Sequence, residues 1–183
     1  MAKLHDAVAS LDPQGQKLYR RLAAKRGHME MHGVYRILLN HPELTRYVSD
    51  LGTFLRFGAG TLPDALRELL ILWLARKFTN AYIWVKHEPV AKEAGISPEV
   101  IEAMRTHMEP SGLDGLQQAA LAAARCVREH RSIPQPLQDE LVAALEVKGV
   151  LELVVLLGFY EMIAGVIFAF EVPLPEGSAD PFG

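Results

Sequence analysis

Glu68 and His87 are the residues of this sequence best suited to chemistry. Glu68 stands in ALRELLILWLARKF, a run dominated by leucine, isoleucine and tryptophan, and at helical spacing it shares a face with Leu72, Ala75 and Thr79. A carboxylate on such a face needs a hydrogen-bond or charge partner, or loss of hydration raises its pKa. His87 lies 19 residues further on. On the next predicted helix it falls on one stripe with Asn80 and Trp84, with Ile83 one turn behind. Pro89 cannot donate to the carbonyl of Val85 and is expected to kink the chain just past the histidine. A histidine beside an indole, facing a half-buried carboxylate, suits general acid–base work, because the carboxylate fixes the imidazole tautomer and raises its basicity. Spacing alone leaves a bland reading equally open. His87 then is a satisfied structural histidine, Glu68 pairs with Arg67 or Arg76 or reaches the surface, and Trp73 and Trp84 are core.

A second cluster is His28-Met29-Glu30-Met31-His32. Its histidines are four apart, so on a helix His28 and His32 share a face, and on an extended chain Glu30 joins them. Gly27 and Gly33 bracket the cluster, which reads better as a polar loop leading to Tyr35 than as a metal site. His5, His41, His107 and His130 show no ligand spacing, and His41 is expected to cap a helix. The single cysteine, Cys126, excludes an intramolecular disulfide, a CxxC redox centre and a thiolate-rich metal site. It reads as a small buried apolar residue.

The elements that must position these groups are helical. Asp12-Pro13, His41-Pro42, Pro63-Asp64, Asn80 and Ser97-Pro98-Glu99 are start signals, and Gly27, Gly58-Ala59-Gly60 and Gly95 are stops. Further helices are expected around 113–130 and 136–146, followed by a long C-terminal one. The expected fold is therefore all-α, a compact bundle of seven to eight helices. Its parts are an N-terminal helix and arm (1–40), a helical domain (41–172) and a mobile or surface-lying tail (173–183). With 183 residues, 50% of them hydrophobic, the chain can bury a sizeable core. A net charge of −3 gives no electrostatic reason to expect nucleic acid. The start MAKLHDAVAS lacks the basic and apolar regions of a signal peptide, so a cytoplasmic protein is expected. Val150 to Phe170 nearly matches a membrane span, but Glu152 and Glu161 interrupt it, and an acid near a span's centre costs roughly 2.5–3.5 kcal/mol. The stretch reads instead as the buried centre of a globular or oligomeric protein, and no membrane partner is expected.

The chain resembles the carboxymuconolactone decarboxylase and alkylhydroperoxidase-D-like family. The shared pattern is R-E-L-x-I-L at Arg67–Leu72, W-x-x-H at Trp84–His87 and A-x-x-x-G at Ala91–Gly95, with Ile101 beyond. It extends through YRILLNHPEL (Tyr35–Leu44), LGTFLRFG (Leu51–Gly58) and LELVVLLGFYEMIA (Leu151–Ala164). Redox members place a glutamate nineteen residues before the histidine of a CxxC-x3-H segment. Glu68 and His87 match those two positions, while Asn80 and Ile83 stand where the thiols would be. Neither can form a sulfenic acid or a disulfide, so thiol peroxidase chemistry is excluded at this site.

What remains resembles the decarboxylase branch. The resemblance implies an all-α bundle assembled as a homotrimer or homohexamer, with a dimer also open, and no metal or organic cofactor. The implied reaction is loss of carbon dioxide from a small lactone acid, or a related proton transfer. His87 is then the acid/base and Glu68 orients it, with Trp84, Tyr82, Asn80 and Ile83 lining an apolar pocket. Lys86 or Arg36 holds a substrate carboxylate, and Tyr160 donates a hydrogen bond. Ile83 replaces a polar residue common before the tryptophan, and Phe168 replaces a frequent asparagine, so the pocket is more apolar than usual. The rival reading is a catalytically silent oligomer that binds a hydrophobic small molecule or serves a structural role.

Overall fold

The computed structural model describes residues 4, 6–25, 33–57 and 60–183, and every regular element among them is helical. A single 3-10 turn at Val8–Ser10 precedes α1 (Pro13–Lys25), α2 (Val34–Leu38), α3 (Pro42–Phe57), α4 (Asp64–Lys77), α5 (Ala81–Glu93), α6 (Pro98–Arg105), α7 (Gly115–Arg128) and α8 (Gln135–Ala169). The chain divides into two compact units, residues 1–60 with 165–175 and residues 61–164 with 176–183.

In the first unit, α1 and α2 both pack on α3. Leu22 and Ala23 of α1 form a small buried cluster with Leu18, Tyr19 and Tyr35. The start signals act as expected. Asp12 Oδ1 accepts the Gly15 N–H at 2.7 Å, and His41 Nδ1 accepts the Leu44 N–H at 3.3 Å. The short α2 was not expected from sequence. It begins after Gly33, whose φ of 57° and ψ of −124° suit a residue without a Cβ.

In the second unit, every residue of α4 from Leu66 to Ala75 is buried, and α5, α6 and α7 pack around it. A helix apolar on all sides must be enclosed, which makes α4 the axis of this unit. Ser97 Oγ accepts the Val100 N–H at 3.3 Å, with Pro98 at the first helical position. Asp114 and Gln117 close a reciprocal capping box at the start of α7. Gly95 ends α5 with a φ of 90°. The helices expected at 136–146 and beyond form one 35-residue element whose path breaks at Glu146, with φ 57° and ψ 170°. Three residues on, a Cβ at Gly149 would lie 2.8 Å from Leu145 Cβ, so glycine there permits a close approach.

By length and composition α8 could cross a membrane, and 44% of its most apolar stretch is buried in this structure. Glu161 is exposed on its outer side, and Glu152 accepts the Thr61 N–H at 2.5 Å. Residues 176–183 lie against the second unit. The Phe182 ring meets Trp84 edge-on at 5.3 Å, and the Arg76 guanidinium sits 4.5 Å from the Phe182 ring centre.

Candidate active site

Three helices bring three polar side chains together inside the second unit. Glu68, from the middle of α4, is fully buried, and His87 on α5 is 4% exposed. His87 Nδ1 meets Glu68 Oε2 at 2.6 Å. An ionised carboxylate only accepts, so the N–H donates and the tautomer is set. On the other side of the ring, His87 Nε2 lies 3.1 Å from the hydroxyl of Tyr160 on α8. The two rings are nearly perpendicular, 5.2 Å apart. Tyr160 is 3% exposed, and Phe159 packs edge-on against it at 5.5 Å. The other carboxylate oxygen of Glu68 lies 3.4 Å from Arg67 Nε. Arg67 is itself tied to Asp64 at 2.8 Å. Glu68 therefore takes both of its sequence-derived partners at once, His87 and Arg67.

Asn80 is the N-cap of α5, its Oδ1 accepting the Ile83 N–H at 3.0 Å. Its Nδ2 is buried without a hydrogen-bond partner among the described residues. Ile83 and Tyr82 are buried as well. α5 runs unbroken past Pro89.

Other expected site residues stand apart from this cluster. Trp84 is fully buried, yet its indole N–H donates to Glu88 Oε2 at 2.7 Å and its ring faces Phe182. It belongs to an ion cluster in which Glu88 Oε1 also binds Lys92 at 2.7 Å and Arg105 at 2.8 Å. Burial pushes the Glu88 carboxyl up, but the hydrogen bonds from Lys92 and Trp84 and the charges of Arg105 and Lys92 together hold it below 4.5. Sequence reading missed this cluster, although the i, i+4 spacing of Trp84, Glu88 and Lys92 was a usable signal. Lys86 is exposed on α5, away from the three buried groups. Arg36 belongs to the first unit, where it pairs with Asp6 at 2.5 Å. The basic side chain that meets Glu68 is Arg67 instead.

Among the described residues no group of three or more His, Cys, Asp or Glu side chains converges as a metal site. His5, His28, Glu30 and His32 lie outside the described residues. Cys126 is buried.

The helices and the buried acid–histidine pair define an all-α protein of the alkylhydroperoxidase-D-like type. The sequence model of the carboxymuconolactone decarboxylase family matches residues 42–125, and over that segment the chain belongs to this family. A peroxidase-related protein from Silicibacter sp. TM1040 superposes with a TM-score of 0.73 at 18% identity, covering 95% of this chain and 92% of that one. An alkylhydroperoxidase AhpD core protein from Ralstonia eutropha JMP134 gives 0.73 at 14% identity, covering 96% and 90%. The debrominase Bmp8 gives 0.67 at 14% identity, covering 98% and 92%. These likenesses establish the fold. No curated protein matches the chain in sequence.

Proposed function

We propose that this protein is a cofactor-independent enzyme that moves a proton with the Glu68–His87 pair, in a decarboxylase-like lyase reaction on a small lactone or carboxylic acid. The 2.6 Å contact between His87 Nδ1 and Glu68 Oε2, buried on both sides, carries this reading. Loss of carbon dioxide leaves an electron pair that a conjugated carbonyl must hold until a proton reaches carbon. A buried carboxylate on one ring nitrogen favours the charged imidazole that supplies such a proton. The family match over residues 42–125 supports an enzymatic role. The same reading carries a cytoplasmic homo-oligomer, a trimer or hexamer or else a dimer. Leu151, Val155 and Met162, exposed on α8, support self-association.

The test is turnover of carboxymuconolactone, followed by carbon dioxide release. His87→Ala should lower kcat by about 10²–10⁴-fold, the usual worth of a general acid or base, while helical content and oligomer size stay unchanged. Undiminished turnover in that variant would refute the reading. The full burial of Glu68, His87 and Tyr160 favours a second one, a structural lock in a catalytically silent binding protein. It predicts ligand binding without turnover, and Glu68→Gln indistinguishable from wild type.

A further inference from the structure

An imidazole has two nitrogens, and in this fold both are engaged. Nδ1 is held by Glu68 at 2.6 Å and Nε2 by the Tyr160 hydroxyl at 3.1 Å. A substrate atom seeking a proton from His87 itself would have to displace one of them. Displacing Glu68 would leave a fully buried carboxylate with only the longer 3.4 Å contact to Arg67 Nε among the bonds described above. Displacing Tyr160 would strip a buried hydroxyl of its bond to the ring. Each loss is of the costly kind, a buried polar group deprived of a partner. A phenol hydroxyl has more capacity than a ring nitrogen, with one donor and two acceptor positions. It can accept from Nε2–H while its own proton points onward.

Resting on the proton-transfer reading above, we propose that Tyr160 is the group that touches the substrate and delivers the proton, with Glu68 and His87 recharging it. The step balances as follows. The bond from carbon to the departing carboxylate breaks, carbon dioxide leaves, and the electron pair enters the conjugated carbonyl system. That pair then takes the Tyr160 hydroxyl proton to form the new C–H bond. The Nε2 proton of the imidazolium moves to the phenolate oxygen in the same event, so no free tyrosinate accumulates. His87 is left neutral, with its Nδ1–H still on the Glu68 carboxylate. One proton from water restores the imidazolium, matching the one proton that decarboxylation consumes. Tyr160 is thereby a catalytic residue, and Glu68 and His87 act on the substrate through it. The relay spans α4, α5 and α8, the three helices that contribute its members.

The experiment compares wild type, His87→Ala, Tyr160→Phe and a series of ring-fluorinated tyrosines at position 160, all with carboxymuconolactone as the probe. Tyr160→Phe keeps the ring and its packing and removes only the hydroxyl. Its kcat should fall by about 10²–10⁴-fold with KM near the wild-type value. Fluorination alters phenol acidity with little change of shape, so kcat should vary systematically along the series, a response that packing alone does not produce. Wild-type kcat in Tyr160→Phe, or a flat response to fluorination, overturns the assignment to Tyr160 while leaving the proposed function intact if His87→Ala is inactive. No turnover by the wild-type protein overturns the proposed function and this relay together.

Discussion

Glu88 is the residue whose removal tests the physical account most directly. Its side chain is 15% exposed and holds three donors, Trp84 Nε1, Lys92 Nζ and Arg105 Nη2. In Glu88→Ala the indole N–H of a fully buried tryptophan loses its acceptor, which costs about 1–3 kcal/mol. Arg105 is partly exposed and keeps Glu102 at 3.2 Å, so its loss adds about 1 kcal/mol or less. Lys92 is 54% exposed and adds nothing countable. The sum is about 2–3 kcal/mol, and at about 2–4 °C per kcal/mol for a chain of this size Tm should drop by about 4–12 °C. A double-mutant cycle isolates the cause. In a Trp84→Phe background the buried donor is gone, and Glu88→Ala should then cost no more than about 1 kcal/mol. Thermal unfolding of the four proteins by circular dichroism decides it. A drop below about 2 °C, or equal costs in both backgrounds, would refute the reasoning. The pH dependence gives a second check. The Glu88 carboxyl sits below 4.5 in the fold, so the unfolded chain binds its proton first. Its stabilisation is present above 4.5 and is lost as pH falls through the folded value, so the Tm gap between wild type and Glu88→Ala should close on acidification.

Two further predictions follow from backbone and charge. Glu146 holds φ 57° and ψ 170°, a region that costs a non-glycine residue about 1–3 kcal/mol. Its ion pair with Lys148 is exposed and worth little. After the entropy that glycine adds to the unfolded chain, Glu146→Gly should gain about 1 kcal/mol, read as a rise in Tm; a fall would show that the strain is absent. His107 lies below 6.5, through desolvation and the charges of Arg76 and Lys77, so the fold resists its protonation. With a φ of 62°, asparagine is the tolerated replacement. His107→Asn should match wild type at pH 8 and become the more stable as pH falls through 6.5; a gap that stays constant with pH would remove the charge explanation.

Much of the fold was legible because its signals are local. Asp12, His41, Asn80 and Ser97 each satisfy a backbone N–H a few residues away, and such contacts are written in short stretches of chain. The unbroken apolar run around Glu68 likewise marked α4 as enclosed. The site was legible in part. Spacing placed Glu68 and His87 on adjacent helices, but it could not choose between Arg67 and His87 as partners, and the fold uses both. Tyr160 was foreseen as a donor, though not as the occupant of the second ring nitrogen, because 73 residues separate it from His87. Trp84 was misplaced for a related reason. Its stripe is shared with His87, but an indole reaches far enough to turn its N–H to Glu88, and the residues drawing its ring aside come from α6 and from residue 182. Lys86 and Arg36 were chosen by charge, and charge carries no information about distance.

Asn80 has a consequence for how easily this site could change its trade over evolutionary time. One half of its amide starts α5, and the other half is a buried donor without a partner among the described residues. Exchanging it for cysteine would forfeit a cap worth about 1 kcal/mol and abolish a buried unsatisfied group whose cost is about 1–3 kcal/mol. Those effects oppose each other, so a thiol could be gained at position 80 with little net loss of stability. Position 83 is the stiffer barrier, since trimming the buried Ile83 to cysteine would open a void beside it. The lineage separating proton-transfer from thiol chemistry on this scaffold is thus gated by one aliphatic side chain.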